Sequence, residues 1–155
     1  MIQRIQSLYL LLTSLLAGLF LSGTFLKFFN KSGSEFLINI RGLWQSEAPW
    51  DPHLIKILIL VAAIMILIII VSLAAIFLYK KRKIQMKLAG AVMLLTIFLI
   101  GLMLYGIFRV TGESGAKLVP VYRMFIPVLI LLFGSLAYLA IRKDENLVKS
   151  LDRLR

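Results

Sequence analysis

Glu47, Asp51 and His53 are the side chains best placed by sequence to do chemistry. Two carboxylates and an imidazole this close together in one polar segment could hold a divalent cation, although their spacing matches no standard site. With Arg123, which lies in a second polar segment, they would also be the groups of a membrane enzyme working at the outer face. Other reactive arrangements are missing. The chain has no cysteine, which excludes disulfides, thiolate metal sites and thiol catalysis. The segment from Gly112 to Gly115 lacks the Lys-Ser/Thr ending of a phosphate-binding loop. No metal or cofactor is expected, and no catalytic residue is assigned.

The elements that would position these groups are apolar stretches without a single Asp, Glu, Lys, Arg or His: residues 5–26, 57–79, 88–108 and 124–141. Each could form a helix matched to a hydrocarbon core about 30 Å thick, at about 1.5 Å per residue. Hydrophobic residues make up 61% of the chain and the mean hydropathy is +0.95. Ordinary globular domains are about 45–50% apolar, and no soluble domain of this size can hide four such helices. The fold class expected is therefore an all-α integral membrane protein, an up-down bundle of four transmembrane helices. Residues 1–155 form one domain, with spans at about 5–26, 55–79, 88–108 and 124–141. The outer loops are 27–54 and 109–123, the inner loop is 80–87, and the cytoplasmic tail is 142–155. The first span follows Arg4 as a signal peptide would, but its apolar run is too long and no A-x-A site follows, so it is read as retained.

Few polar residues interrupt the spans: Gln6, Ser7, Thr13, Ser14, Ser22, Thr24, Ser72, Thr96 and Ser135, besides tyrosines. A helical Ser or Thr hydroxyl normally bonds to a carbonyl one turn back. A serine nucleophile needs a nearby base, and the spans supply none. Transporters and pumps carry ionisable groups at depth, so their absence argues for a protein that is not an enzyme and moves no protons.

The net charge is +11, with the basic residues at the ends of the spans, where they meet anionic headgroups. No continuous basic face with aromatics is present, and no nucleic-acid partner is expected. With a cytoplasmic N-terminus, Arg4, Lys80, Lys81, Arg82, Lys83, Lys87, Arg142, Lys143, Lys149, Arg153 and Arg155 lie inside. Lys27, Lys31, Arg41, Lys56, Arg109, Lys117 and Arg123 lie outside. Eleven against seven, with Lys80, Lys81, Arg82 and Lys83 in one run, predicts N-in and C-in. Tyr9, Tyr79 and Tyr138 would mark the inner interface, Tyr105 and Tyr122 the outer one.

In the first outer loop, Phe36, Ile38 and Ile40 alternate with Leu37, Asn39 and Arg41, the period of a strand. The run Lys117-Leu118-Val119-Pro120-Val121 is extended as well, and the two runs are expected to pair as a small outer sheet. Trp44 and Trp50 are interfacial anchors or partner contacts. In the tail, Leu147, Leu151 and Leu154 form the stripe of an amphipathic helix, which would lie on the inner leaflet or dock on a partner. Glu145 precedes Lys149 by four, the order favourable for an ion pair on that helix. In the first span, Ser14, Gly18 and Ser22 form a small-residue stripe that could pack within the bundle or against another protein.

The two ends of the chain carry a resemblance. The start Met1-Ile2-Gln3-Arg4-Ile5-Gln6-Ser7-Leu8-Tyr9 and the finish, from Ile141-Arg142-Lys143-Asp144-Glu145 to Leu154-Arg155, resemble an uncharacterised family of small four-span inner-membrane proteins of Bacteroidota. That resemblance implies a multi-pass protein of the bacterial inner membrane and no activity. Gly42-Leu43-Trp44 is similar to a motif of claudins, but the cysteine pair that follows it there is missing. The function expected is a non-enzymatic accessory subunit of a larger inner-membrane complex, in protein secretion, translocation or envelope biogenesis. The partners expected are membrane lipids and other inner-membrane proteins. A carrier of lipid or hydrophobic small molecules is the alternative, and an outer-face enzyme the second alternative.

Overall fold

The computed structural model describes residues 3–24, 26–29, 35–38, 52–79, 81–114 and 117–152. The described residues form four α-helices: α1 (Gln3–Leu21), α2 (Pro52–Phe77), α3 (Arg82–Ser114) and α4 (Ile126–Asp152). Three strands accompany them, β1 (Leu26–Phe29), β2 (Glu35–Ile38) and β3 (Lys117–Val119), and a 3₁₀ turn over Tyr122–Phe125 leads into α4.

Each helix packs on two others, in the ring α1–α2–α3–α4–α1. Contacts near the helix ends show neighbours to be antiparallel. Gln6 at the start of α1 reaches Ala140 late in α4, and Arg82 at the start of α3 reaches Asp144. A Cβ on Gly106 would lie 3.7 Å from Ile57, placing the end of α3 beside the start of α2. The sheet caps the end where α1 and α3 finish and α2 and α4 begin.

The reason for this packing lies in four buried seams. In α1 the fully inward residues are Gln6, Leu10, Thr13, Ala17 and Phe20. In α2 they are Leu58, Val61, Met65, Ile68, Ser72 and Ala75, and in α3 Gln85, Ala89, Val92, Thr96, Leu99 and Met103. In α4 they run through Ile126, Ile130, Gly134, Ala137, Ile141 and Glu145. In α1, α2 and α3 the steps alternate between three and four residues, the a/d repeat of knobs-into-holes packing in left-handed bundles, whereas α4 steps mostly by four. Toward the middle the seams narrow. A Cβ on Gly134 would sit 3.6 Å from Val92 Cγ1 and 3.7 Å from Met93 Cγ, so α3 and α4 approach closely there.

The helix ends differ from the apolar stretches. α1 stops at Leu21, not at residue 26, because Ser22 and Gly23 turn the chain and Leu26–Phe29 enters a strand. Leu26 and Phe28 are buried as a helix's apolar residues would be, which is why hydropathy could not find the break. Ile55–Phe77, Arg82–Gly112 and Tyr122–Leu147 are long and apolar enough to cross a membrane, whereas Ile5–Leu21 is a shorter apolar helix. At its other end, α3 starts at Arg82, so the link from α2 is a tight turn closed by Lys81 N–H donating to Leu78 O at 2.9 Å. The tail is no separate helix. α4 continues unbroken from its apolar part to Asp152.

The sheet also departs from expectation in one respect. Both extended runs become strands of one sheet, but its order is β2-β1-β3, so they do not pair with each other. β1 lies between them, antiparallel to both: Phe28 faces Phe36 on one side and Leu118 on the other. A hairpin of consecutive strands closes a short loop, which costs less chain entropy than a distant pairing. Phe28 and Phe29, which follow the first apolar stretch, belong to the central strand.

Candidate functional site

At the end of the bundle remote from the sheet, three of the four seams finish in polar side chains: Gln6 of α1, Gln85 of α3 and Glu145 of α4, all buried. Gln6 Nε2 donates to Ala140 O at 3.1 Å, tying α1 to α4. Arg82 Nη2 lies 3.9 Å from Asp144 Oδ2, tying α3 to α4. The seam positions dictate the arrangement. Glu145 follows Ile141 by four residues and so must point inward. The expected ion pair with Lys149 falls on a side chain outside those described. Gln85 was not among the candidate residues. Its signal was the seven-residue repeat Gln85, Val92, Leu99, hidden because it began inside a segment taken as a loop.

The consequence is a sorting of charge. At this end Asp144 and Glu145 turn in, while Lys81, Lys83, Lys87, Arg142 and Lys143 are exposed. Every exposed charged side chain among the described residues there is basic. Beside the cations, Leu139, Arg142, Lys143, Asn146 and Leu147 line an open groove of about 430 Å³ on the outward face of α4.

The sheet end is held differently. A Cβ on Gly23 would coincide with the Arg123 guanidinium, so glycine is what admits that side chain beside the C-terminal end of α1. A cation there complements the carbonyl end of the helix dipole. Arg123 also lies over the Tyr122 ring, 5.4 Å from its centroid. Arg123 is thus engaged in packing, and its Nε is buried without a partner among the described residues.

The other candidate residues are distributed as follows. Of the small-residue stripe, Ser14 is buried and donates to Leu11 O at 2.8 Å. Gly18 and Ser22 are on the outer surface, next to exposed Leu15 and Leu19. Nothing lies within 4 Å of a Cβ built on Gly18. Arg4 belongs to the first turns of α1, His53 to the first turn of α2 and Leu151 to the end of α4. Lys80, Trp44, Trp50, Glu47, Asp51 and Leu154 lie outside the described residues. Among the described residues no three acidic or imidazole side chains converge as a metal site would need.

The sequence matches the family model of a domain of unknown function (DUF4293) over residues 2–154. The chain belongs to the DUF4293 family. Comparison with curated proteins and with solved structures found no match. This DUF4293 chain therefore has to be read through its own geometry.

Within that geometry one seam residue stands out. Thr13 and Thr96 are buried, and their hydroxyls donate to Tyr9 O and Val92 O, each at 2.7 Å. Ser72 is equally buried, but its Oγ has no partner among the described residues. A buried hydroxyl without a partner destabilises. Ser72→Ala is expected to leave the fold intact and raise the unfolding free energy by about 1 kcal/mol. Thr96→Ala, which removes a satisfied hydroxyl and leaves a cavity, is expected to lower it. Thermal melts of the two variants in the same detergent check the opposite signs.

Proposed function

We propose that this DUF4293 chain is a four-span integral protein of the bacterial inner membrane, with both termini cytoplasmic. In this reading it serves as a non-enzymatic accessory subunit of a larger assembly, in protein secretion, translocation or envelope biogenesis. The observation that supports it best is the outer surface. All four helices expose large apolar side chains along their length: Leu8, Leu15 and Leu19 on α1, Ile59, Ile66 and Ile70 on α2, Leu94 and Phe98 on α3, Leu129 and Leu136 on α4. Such a surface needs lipid or protein around it. The exposed cations gathered at the sheet-distal end support a cytoplasmic placement of that end. The short α1 is the helix best suited to a partner, since Gly18 and Ser22 leave its outward face low enough for a second backbone to approach. The alternative, a carrier of lipid or hydrophobic small molecules, would use an open apolar groove between helices.

In-cell crosslinking of a tagged copy, gentle solubilisation and mass spectrometry test the proposal. A membrane protein recovered in stoichiometric amount, and lost when Gly18 is replaced by leucine, is the expected result. Recovery of the chain from membranes with no stoichiometric companion would end the subunit reading and leave the membrane reading standing.

A further inference from the structure

We propose that the groove lined by Leu139, Arg142, Lys143, Asn146 and Leu147 is a binding site for an anionic phospholipid. Three observations place that ligand there. The groove has polar and apolar parts in the right order along α4. Leu139 (56% exposed) lies on the side toward the bundle centre, and Leu136 and Leu132, exposed at three- and four-residue steps, continue its face. Side chains three and four apart on a helix are neighbours, so these leucines form one apolar track that ends at the cations. An acyl chain laid on the track brings its phosphate to Arg142 and Lys143. There the arginine supplies a planar fork of donors and the lysine a point charge. The Asn146 amide, one turn beyond Arg142 and Lys143, is placed to reach the headgroup.

The second observation is the inward turn of the acids. Asp144 and Glu145 follow Arg142 and Lys143 directly in sequence and would cancel their charge if they shared the surface. Asp144 is instead drawn to Arg82, and Glu145 is buried in the seam. The groove is left with two cations and no exposed acid among the described residues. The third is depth. The register fixed by Arg82 and Asp144 sets Lys143 level with Lys83 on α3, in the cationic rim where the apolar surface stops. Basic pockets at that level of cytoplasmic helix ends suit anionic headgroups.

The inference rests on the membrane reading proposed above. The test uses the full chain, purified in mild detergent and titrated with phosphatidylglycerol or phosphatidylcholine by native mass spectrometry. The wild type is expected to prefer phosphatidylglycerol, and Arg142→Gln with Lys143→Gln to lower its affinity by about 30-fold while leaving phosphatidylcholine binding unchanged. Lys83→Gln with Lys87→Gln removes the same charge from the same rim outside the groove and is expected to cost less than about threefold. Equal losses in the two double variants would show diffuse attraction and overturn the site. So would an absence of preference in the wild type, or displacement of the lipid by millimolar inorganic phosphate. A wild-type chain that fractionates away from membranes would instead refute the underlying reading.

Discussion

Phe28→Ala is expected to lower the unfolding free energy by about 3–5 kcal/mol, the largest effect of any single truncation considered. Phe28 is 1% exposed and occupies the centre of the middle strand, with Phe36 and Leu118 as cross-strand partners. It belongs to the same buried cluster as Leu58, Val61, Met103 and Ile126 from α2, α3 and α4. The sheet thus shares one buried cluster with the helices, and removal of the ring leaves a cavity that rigid strands and helix ends cannot collapse around. The sheet also ties the α1–α2 connection to the α3–α4 connection, so its loss should loosen the α1 end and the start of α4 together. Phe108→Ala supplies the contrast, because that ring is 71% exposed on the outward face of α3 and should cost less than about 0.5 kcal/mol. Denaturant unfolding in micelles, followed by helical circular dichroism, would separate the two. Similar midpoints for both variants would contradict this account of the sheet.

The next largest effect is expected at the narrow part of the bundle. Gly134→Leu should destabilise by about 3 kcal/mol, because the added side chain has to enter space that Val92 and Met93 already fill. Gly134→Ala should behave in the opposite way. Its Cβ would meet both neighbours at ordinary contact distance, and alanine is favoured over glycine in a helix by about 1 kcal/mol. In a bilayer, apolar burial gains little when the alternative to a protein contact is a lipid chain, so close backbone approach carries more of helix association than it does in water. A melting temperature that rises for alanine and falls for leucine would confirm the close approach. A fall for both would show that α3 and α4 pack more tightly at Gly134 than the contact distances allow.

The sequence revealed much of the scaffold and little of the site. Four charge-free stretches announced four helices, and the alternation around Phe36 and Leu37 announced a strand, because both signals come from the local period of side chains. The end of α1 was not legible. Leu26 and Phe28 are apolar whether they continue a helix or enter a sheet, and only the sheet pairing decides between them. The inward faces were equally hidden. In Ile66-Leu67-Ile68-Ile69-Ile70-Val71 every residue is apolar, so no contrast shows that Ile68 faces the core while Ile66, Leu67 and Ile70 face out. The stripe Ser14, Gly18 and Ser22 had the right spacing for packing, yet it steps by four throughout and drifts off the three-and-four seam after Ser14.

Glu145 illustrates the limit most directly. Its distance from Lys149 in sequence suits an ion pair along the helix, and nothing local announces that its place in the α4 seam turns it inward. That inward turn, together with the 3.9 Å approach of Arg82 to Asp144, is what leaves Arg142 and Lys143 uncancelled at the surface. Read alone, the order of residues determined the number of helices, their apolar middles and the excess of cations at their ends, since these depend only on composition along the chain. Which residues meet, where α1 stops, and which charges remain exposed depend on contacts between segments far apart in sequence, and those were decided only when the four seams closed on one another.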